Sequence, residues 1–182
     1  MANNNNTENV AILKPVTTGA VYYGEAGATV PTSASAALTG FSCVGYIGED
    51  GVTKAVERES EDIKDWGGEV IKTVQTDYRA TYQFVMTEAL NETALKAFYG
   101  DDNVTVSDDT ITIKGNSSEL PIRAWVIDAI TDEGKAYREV IPKGKISDTG
   151  DLSYKKDEAA AYDITVTALP DSDGQTHYIY IG

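Results

Sequence analysis

The longest regular pattern in the chain is YRATYQFVMTE, residues 78–88. Tyr78, Ala80, Tyr82, Phe84 and Met86 fall on one side of an extended backbone. Arg79, Thr81, Gln83 and Thr87 fall on the other, with Val85 the exception. Alternation with a period of two predicts a half-buried β-strand. EVIKTVQT, residues 69–76, is also strand-like, and Asp77 between the two suits a tight turn. The pair therefore reads as a hairpin, apolar inside and polar outside. AYDITVTALP repeats the alternation, with Tyr162, Ile164, Val166 and Ala168 inward and Asp163, Thr165 and Thr167 outward. Shorter strand patterns cover 20–23, 41–48, 110–114 (Ile111 and Ile113 inward), 137–141, 145–154 and the closing HYIYI. Pro121–Ile130 is apolar on both faces, as a central strand would be. Residues 24–40 form a long surface loop around Pro31, Glu49-Asp50-Gly51 a turn, and Pro142 and Gly144 a break between strands.

One helix is predicted. Asn91 is a good N-cap, and Glu92 follows at the positive end of the dipole. Leu90 and Leu95 occupy the positions of a hydrophobic staple, Ala94, Leu95 and Phe98 make a buried stripe, and Gly100 ends the element. A helix of about nine residues does not stand alone in water, so it must lie against a sheet.

The segment VTKAVERESEDIKDWGG, residues 52–68, admits two readings. Val52, Val56, Ile63 and Trp66 have a loosely helical spacing, which allows a short helix. The other reading is a strand from Val52 to about Arg58, then a polar excursion returning at Glu69. Gly67-Gly68 permits a backbone turn that few residues make, and a tryptophan at such a tip suits docking better than a monomer's core. The sum is a mainly β protein: about ten antiparallel strands in a β-sandwich or barrel with one short flanking α-helix. Residues 1–19 are polar and then extended, and Pro15 and Gly19 oppose a helix there; they read as an N-terminal arm on a single domain spanning 20–182.

Composition narrows the function. The chain carries 29 acidic and 15 basic residues, a net charge of −14. A protein that grips nucleic acid neutralises phosphates and is basic, so this one repels DNA, which argues against gripping it but not against DNA moving past. Tyrosine dominates the aromatics, with 11 against 3 Phe and 2 Trp, which favours half-buried β surfaces and interfaces. Cys43 is the single cysteine, so no intramolecular disulfide forms, and its Val/Tyr-rich surroundings make it a small core residue. MANNNNTEN has neither a basic n-region nor an apolar h-region, and no apolar run approaches a membrane span. The expectation is folding in a cytoplasm without membrane insertion.

Candidate chemistry is sparse. The single histidine, His177, sits in a Tyr/Ile strand without a second His, a nearby Cys or an acidic partner at helical spacing. It reads as a packed or surface side chain. A zinc site needs three or four N or S ligands, and His and Cys together total two. Asp171-Ser-Asp-Gly resembles the start of a calcium loop but lacks the third acid and the later Glu, so it reads as a turn. Glu57, Glu59, Glu61 and Asp62 adjoin in sequence on an exposed segment and read as solvated carboxylates, not a catalytic pair. The chain is read as a non-enzyme with no cofactor and no metal.

Several stretches, in order, resemble the major tail protein, or tail tube protein, of long non-contractile-tailed bacteriophages. They are TGAVYYGEAGATVPT, GYIGEDGVTKAVERESEDIKDWGGEVIKTVQTDY, EALNETALKAFYGDDNVTV, the central WVID, and YDITVTALPDSDGQTHYIYI. The N-terminal asparagines lie outside the resemblance. It implies a structural virion protein: homo-hexameric rings stack into a hollow tube, and strands of each subunit join one continuous inner barrel. The implied partners are a tape measure protein in the lumen, tail terminator and tail-tip proteins, and the genome in transit. The implied location is the virion tail, after assembly in the host bacterial cytoplasm. On this reading residues 59–68 are the inter-ring loop, with Glu59, Glu61, Asp62, Ile63, Asp65, Gly67 and Gly68 around Trp66 as apolar anchor. The polar positions Glu69, Thr73, Gln75, Arg79, Thr81 and Gln83 are candidates for the lumen face, the alternative being that they meet outer solvent. Two competing readings are a monomeric β-sandwich binding or decoration module and a related tube of a contractile or secretion system.

Overall fold

The computed structural model describes residues 6–24 and 28–182. The asparagines at 3–5 and the part of the predicted 24–40 loop at 25–27 lie outside the described residues. In chain order the strands are β1 (Leu13–Pro15), β2 (Val21–Gly24), β3 (Phe41–Cys43), β4 (Ile47–Lys64) and β5 (Val70–Met86). After helix α1 (Glu92–Tyr99) come β6 (Val104–Ser107), β7 (Thr110–Ile113), β8 (Arg123–Thr131), β9 (Ala136–Thr149), β10 (Tyr162–Ala168) and β11 (Tyr178–Ile181). The main sheet runs β3-β2-β8-β9-β10-β5-β4, with β1 added to β8 and β11 added to β9. Every pairing is antiparallel, and β6 and β7 form a separate hairpin.

The alternating segments of β5 and β10 behave as their pattern predicts, whereas Ile113 of β7, read as inward, is 40% exposed. Ala80, Tyr82, Phe84 and Met86 of β5 and Tyr162, Ile164, Val166 and Ala168 of β10 are buried, and their polar neighbours are not. In β8 both Trp125 and Val126 are buried, on opposite faces. Trp125 packs its ring between Tyr23 of β2 and Phe84 of β5, at 5.7 and 5.8 Å between centroids. Two strands, β9 and β10, separate β8 from β5 in the sheet, so this contact exists only because the sheet curls over its own core. On the outer face, Arg138 holds Asp128 through Nε and Nη2 at 2.6 and 2.7 Å and donates to the carbonyl of Ala36, pinning the 28–40 loop across the sheet.

Helix α1 starts as predicted: the Asn91 side chain accepts from the Thr93 N–H at 2.9 Å, and Gly100 closes the last turn with φ +93°. It buries Ala94, Leu95 and Ala97, while Phe98 is half-buried against Tyr99 and Tyr162. The staple does not form, because Leu90 is 82% exposed.

Four local expectations change. Phe41–Gly48 is not one strand: the chain leaves the ladder after Cys43 and re-enters at Ile47. Glu49-Asp50-Gly51 does not turn the chain; these residues bulge out of β4 between its pairings Ile47↔Met86 and Val52↔Phe84, and Gly51 takes φ +68° there. Pro142 and Gly144 do not divide β9. The β8–β9 register slips by one residue between Trp125↔Ile141 and Arg123↔Gly144, and the proline, which has no N–H to give a ladder, sits in that slip. Asp77 does not make a turn, with consequences set out below.

The arm is partly built into the domain. Leu13, Lys14 and Pro15 pair with Thr131, Ile130 and Ala129, and the backbone of Ile12 bonds to Asp132.

Candidate assembly surfaces

Asp77 lies inside a continuous strand. β5 spans 17 residues and β4 spans 18, and the two form one long hairpin whose turn is at Asp65–Glu69. The short helix weighed for 52–66 is therefore absent, and the predicted loop at 59–68 is the far part of this hairpin: Glu59–Lys64 in the strand, Asp65–Gly68 in the turn. Asp65 organises the turn, its N–H donating to the Glu69 carbonyl and its Oδ1 accepting from the Glu69 N–H, both at 2.8 Å. Gly68 has φ +89°, a conformation that a side chain opposes. Trp66 is fully exposed at the tip, and Ile63, Val70, Ile71 and Val74 beside it are exposed as well.

The near half of β5 pairs with β10 from Ala80 to Met86, so only that half belongs to the body of the sheet. From Tyr78 outward the hairpin is a two-stranded ribbon with no third strand among the described residues. Such ribbons are marginal alone in water, and this one carries an exposed apolar tip.

A one-residue slip divides the ribbon. Glu59 pairs with Asp77 but Ser60 pairs with Gln75, which leaves Thr76 as an extra residue in β5. Because side chains alternate with a period of two, the slip exchanges the faces of β5 beyond it. Arg79, Thr81 and Gln83 share the face turned away from the core, where Arg79 reaches Thr167 and Gln83 holds Asp163 of β10. Thr73 and Gln75 are on the reverse face, bonded to Asp62 and Arg58. Glu69 is in the turn. The six positions grouped as one lumen face thus do not form one surface: three stand together, two lie behind, one caps the tip. The slip is invisible to a pattern reading because residues 57–77 are wet on both sides and carry no apolar alternation to be shifted.

The face that holds Arg79, Thr81 and Gln83 continues across the sheet. Thr165 and Thr167 of β10 lie on it, and Thr167 donates to Ser147 of β9 at 2.8 Å. Four strands therefore make a polar-faced ribbon in the order β9 (from Lys145), β10, β5, β4. Its two outer edges are unpaired among the described residues: β4 along its whole outer side, and β9 beyond Gly144, where pairing with β8 ends.

A polar cluster anchors the hairpin to the body. Lys54 of β4 meets Glu139 of β9 at 2.5 Å, the Tyr82 hydroxyl donates to the same carboxylate at 2.6 Å, and Lys54 Nζ donates to His177 Nε2 at 2.9 Å. His177, just before β11, turns its Nδ1 to the Thr176 hydroxyl at 3.0 Å. Burial, and then the lysine charge, holds the imidazole below its ordinary pKa. Burial and the neighbouring Glu139 hold the Tyr82 phenol far above its own. The sequence reading of His177 as a packed side chain omitted Lys54, which lies 123 positions away. The cluster floors an open cleft of about 980 Å³ between the arm and the start of β4. It joins four segments of chain: β4, β5, β9 and the residues before β11. Among the described residues no group of three or more His, Cys, Asp or Glu is placed to hold a metal ion, and no helix is long and apolar enough to cross a membrane.

A family model described as "Phage tail tube protein" matches residues 1–182, the N-terminal asparagines included. The chain belongs to that family. It is a structural component of a phage tail, and its family implies multimeric assembly into a tube with other tail proteins. Among solved structures, the chain is similar to one in the anti-feeding prophage cap, a tube-terminating cap, at 10% identity over 96% of each chain and a TM-score of 0.48. It is also similar to a chain in the tail of an empty GTA particle, at 11% identity over 87% of this chain and 96% of that one, with a TM-score of 0.46. A search of curated proteins finds no match.

Proposed function

We propose that six copies of this tail tube protein close into a ring, that rings stack into a hollow tube, and that the tube carries the genome into the host. The observation that carries this reading is the four-stranded ribbon, polar on one face and, among the described residues, unpaired at both edges. An exposed edge of that length invites uncontrolled pairing in a free monomer, and ring closure removes it. Six such ribbons make a barrel of roughly 24 strands, and barrels of 16–18 already enclose an aqueous channel. The polar face then lines the lumen. On it Glu57, Glu59, Glu61, Asp77, Asp148 and Asp163 outnumber Lys72, Arg79 and Lys145, and a wall of like charge does not hold the phosphates moving past it. In this reading residues 20–182 are the ring-forming unit, 1–19 its arm, and the hairpin tip its contact with the next ring. A tape measure protein fills the lumen during assembly in the host bacterial cytoplasm, and terminator and tip proteins close the ends.

Negative-stain microscopy of the concentrated pure protein tests this: rings or tubes are expected, and a monomer at every concentration overturns it. Trp66→Ala is expected to leave the fold intact and to shorten or abolish tubes. Tubes of equal length from the variant overturn the role of the tip.

A further inference from the structure

The polar cluster beneath the cleft has the parts of a reaction centre. Lys54 supplies an amine and Glu139 a carboxyl carbon, and the lysine Nζ lies 2.5 Å from the carboxylate Oε1. His177 Nε2 is 2.9 Å from the same Nζ, and the Thr176 hydroxyl fixes the imidazole through Nδ1 at 3.0 Å. The Tyr82 hydroxyl donates to Oε1 at 2.6 Å. Nucleophile, base and carbonyl-polarising donor thus meet at one carboxyl group. We propose that Lys54 and Glu139 condense spontaneously into an amide that joins β4 to β9. The proposal goes beyond the ring reading and stands or falls within a single chain.

Three features separate this pair from other lysine–carboxylate contacts. First, enclosure: the Glu139 side chain is 8% exposed and Tyr82 is buried, whereas Lys135–Glu133, Lys145–Glu119 and Lys155–Glu158 lie in solvent. Keeping two charges away from water is costly, and condensation removes both. Second, the base: His177 is the single histidine of the chain. Burial and the lysine charge hold its pKa down, so at neutral pH the imidazole is uncharged and able to accept a proton. Third, the donor: the Tyr82 phenol is held far above its ordinary pKa, so it stays an O–H beside the oxygen on which charge collects.

Atoms and protons balance without a co-reactant. The ammonium passes one proton to the carboxylate across the contact, leaving an amine beside a carboxylic acid. Nζ then attacks the Glu139 Cδ, forming the C–N bond, and Tyr82 steadies the oxygen that becomes negative. His177 takes a second proton from the nitrogen, now far more acidic than a lysine ammonium, and delivers it to the departing hydroxyl. The C–O bond breaks, the carbonyl re-forms, and one water leaves into the cleft. The product closes a loop spanning 85 positions of the chain. It clamps the base of the long hairpin to the body of the sheet, where any pull on the tip arrives.

Mass spectrometry of the purified, folded full-length protein tests this. A tryptic digest is expected to contain Glu139–Lys143 joined to the peptide that carries Lys54, lighter than the two together by one water. Lys54→Arg keeps a cation at the contact but no nucleophilic amine, and is expected to release Glu139–Lys143 free. A water lost at an Asp-Gly step, such as Asp50-Gly51, leaves that peptide free as well, so the joined peptide is the readout. His177→Gln and Tyr82→Phe are each expected to slow the joining, followed from the time of synthesis, by about a hundredfold, with native folding checked by circular dichroism. Only free peptides from the folded native chain overturn the proposal and leave the cluster an ion pair. Joining at the native rate in folded His177→Gln overturns the role of the imidazole. Both results are read on single chains, so neither depends on whether tubes form.

Discussion

Gly144 marks the place where the sheet bends around its core. A Cβ there would stand 2.5 Å from the Trp125 ring and 2.7 Å from a Val166 methyl, both fully enclosed. Neither neighbour has room to retreat, because the indole is itself wedged between Tyr23 and Phe84. Gly144→Ala is therefore expected to destabilise the subunit by about 1–3 kcal/mol, read as a lower denaturation midpoint with an unchanged slope. His177 makes a second, pH-dependent contribution. Its folded pKa lies below 6.5, so above 6.5 the imidazole is neutral in both states and the contact with Lys54 is intact. As the pH falls from 6.5 toward the depressed folded value, the unfolded chain takes up the proton first and stability is lost. Urea titrations across this window are expected to show that slope in the native sequence, and a shallower one in His177→Gln.

The elements differ in how far their residues announce them. β5 near the core, β10 and α1 were legible because each has one wet side and one dry side, and its residues sort accordingly. The far hairpin was not. Glu57–Lys64 and Val70–Asp77 are wet on both sides in the single chain, so burial imposes no period. What holds them extended is cross-strand pairing, which shows only once the partner is known. The same absence hid the slip at Thr76 and led Asp77 to be read as a turn. Trp66, by contrast, stands out in the sequence as an aromatic side chain beside two glycines, and the structure leaves it fully exposed in the turn. Since the far ribbon packs on no other strand among the described residues, replacing residues 59–77 with Asn-Gly, which joins Arg58 to Tyr78 by a two-residue turn, is expected to change stability by no more than about 1 kcal/mol. The shortened protein should fold and melt like the parent by calorimetry yet form no tubes. A collapse of its folding cooperativity would mean the ribbon serves the monomer after all.

For the whole molecule, charge governs when copies meet. At −14 each, subunits repel one another at long range, and every contact between them works against that repulsion. Raising salt from about 20 to about 200 mM shortens the screening length several-fold, so the concentration at which particles form is expected to fall, as light scattering would register. A threshold that rose with salt would point to assembly driven by ion pairs alone. Where the protruding ribbon ends up, however, depends on one small residue. Thr76 can be removed without changing a single partner on either side, because Asp77 and Gln75 already face consecutive positions of β4. Its deletion would straighten the finger and swing the tryptophan sideways while leaving the fingertip's composition untouched. The direction of the ribbon and the composition of its tip are thus encoded separately, and a single codon sets the first.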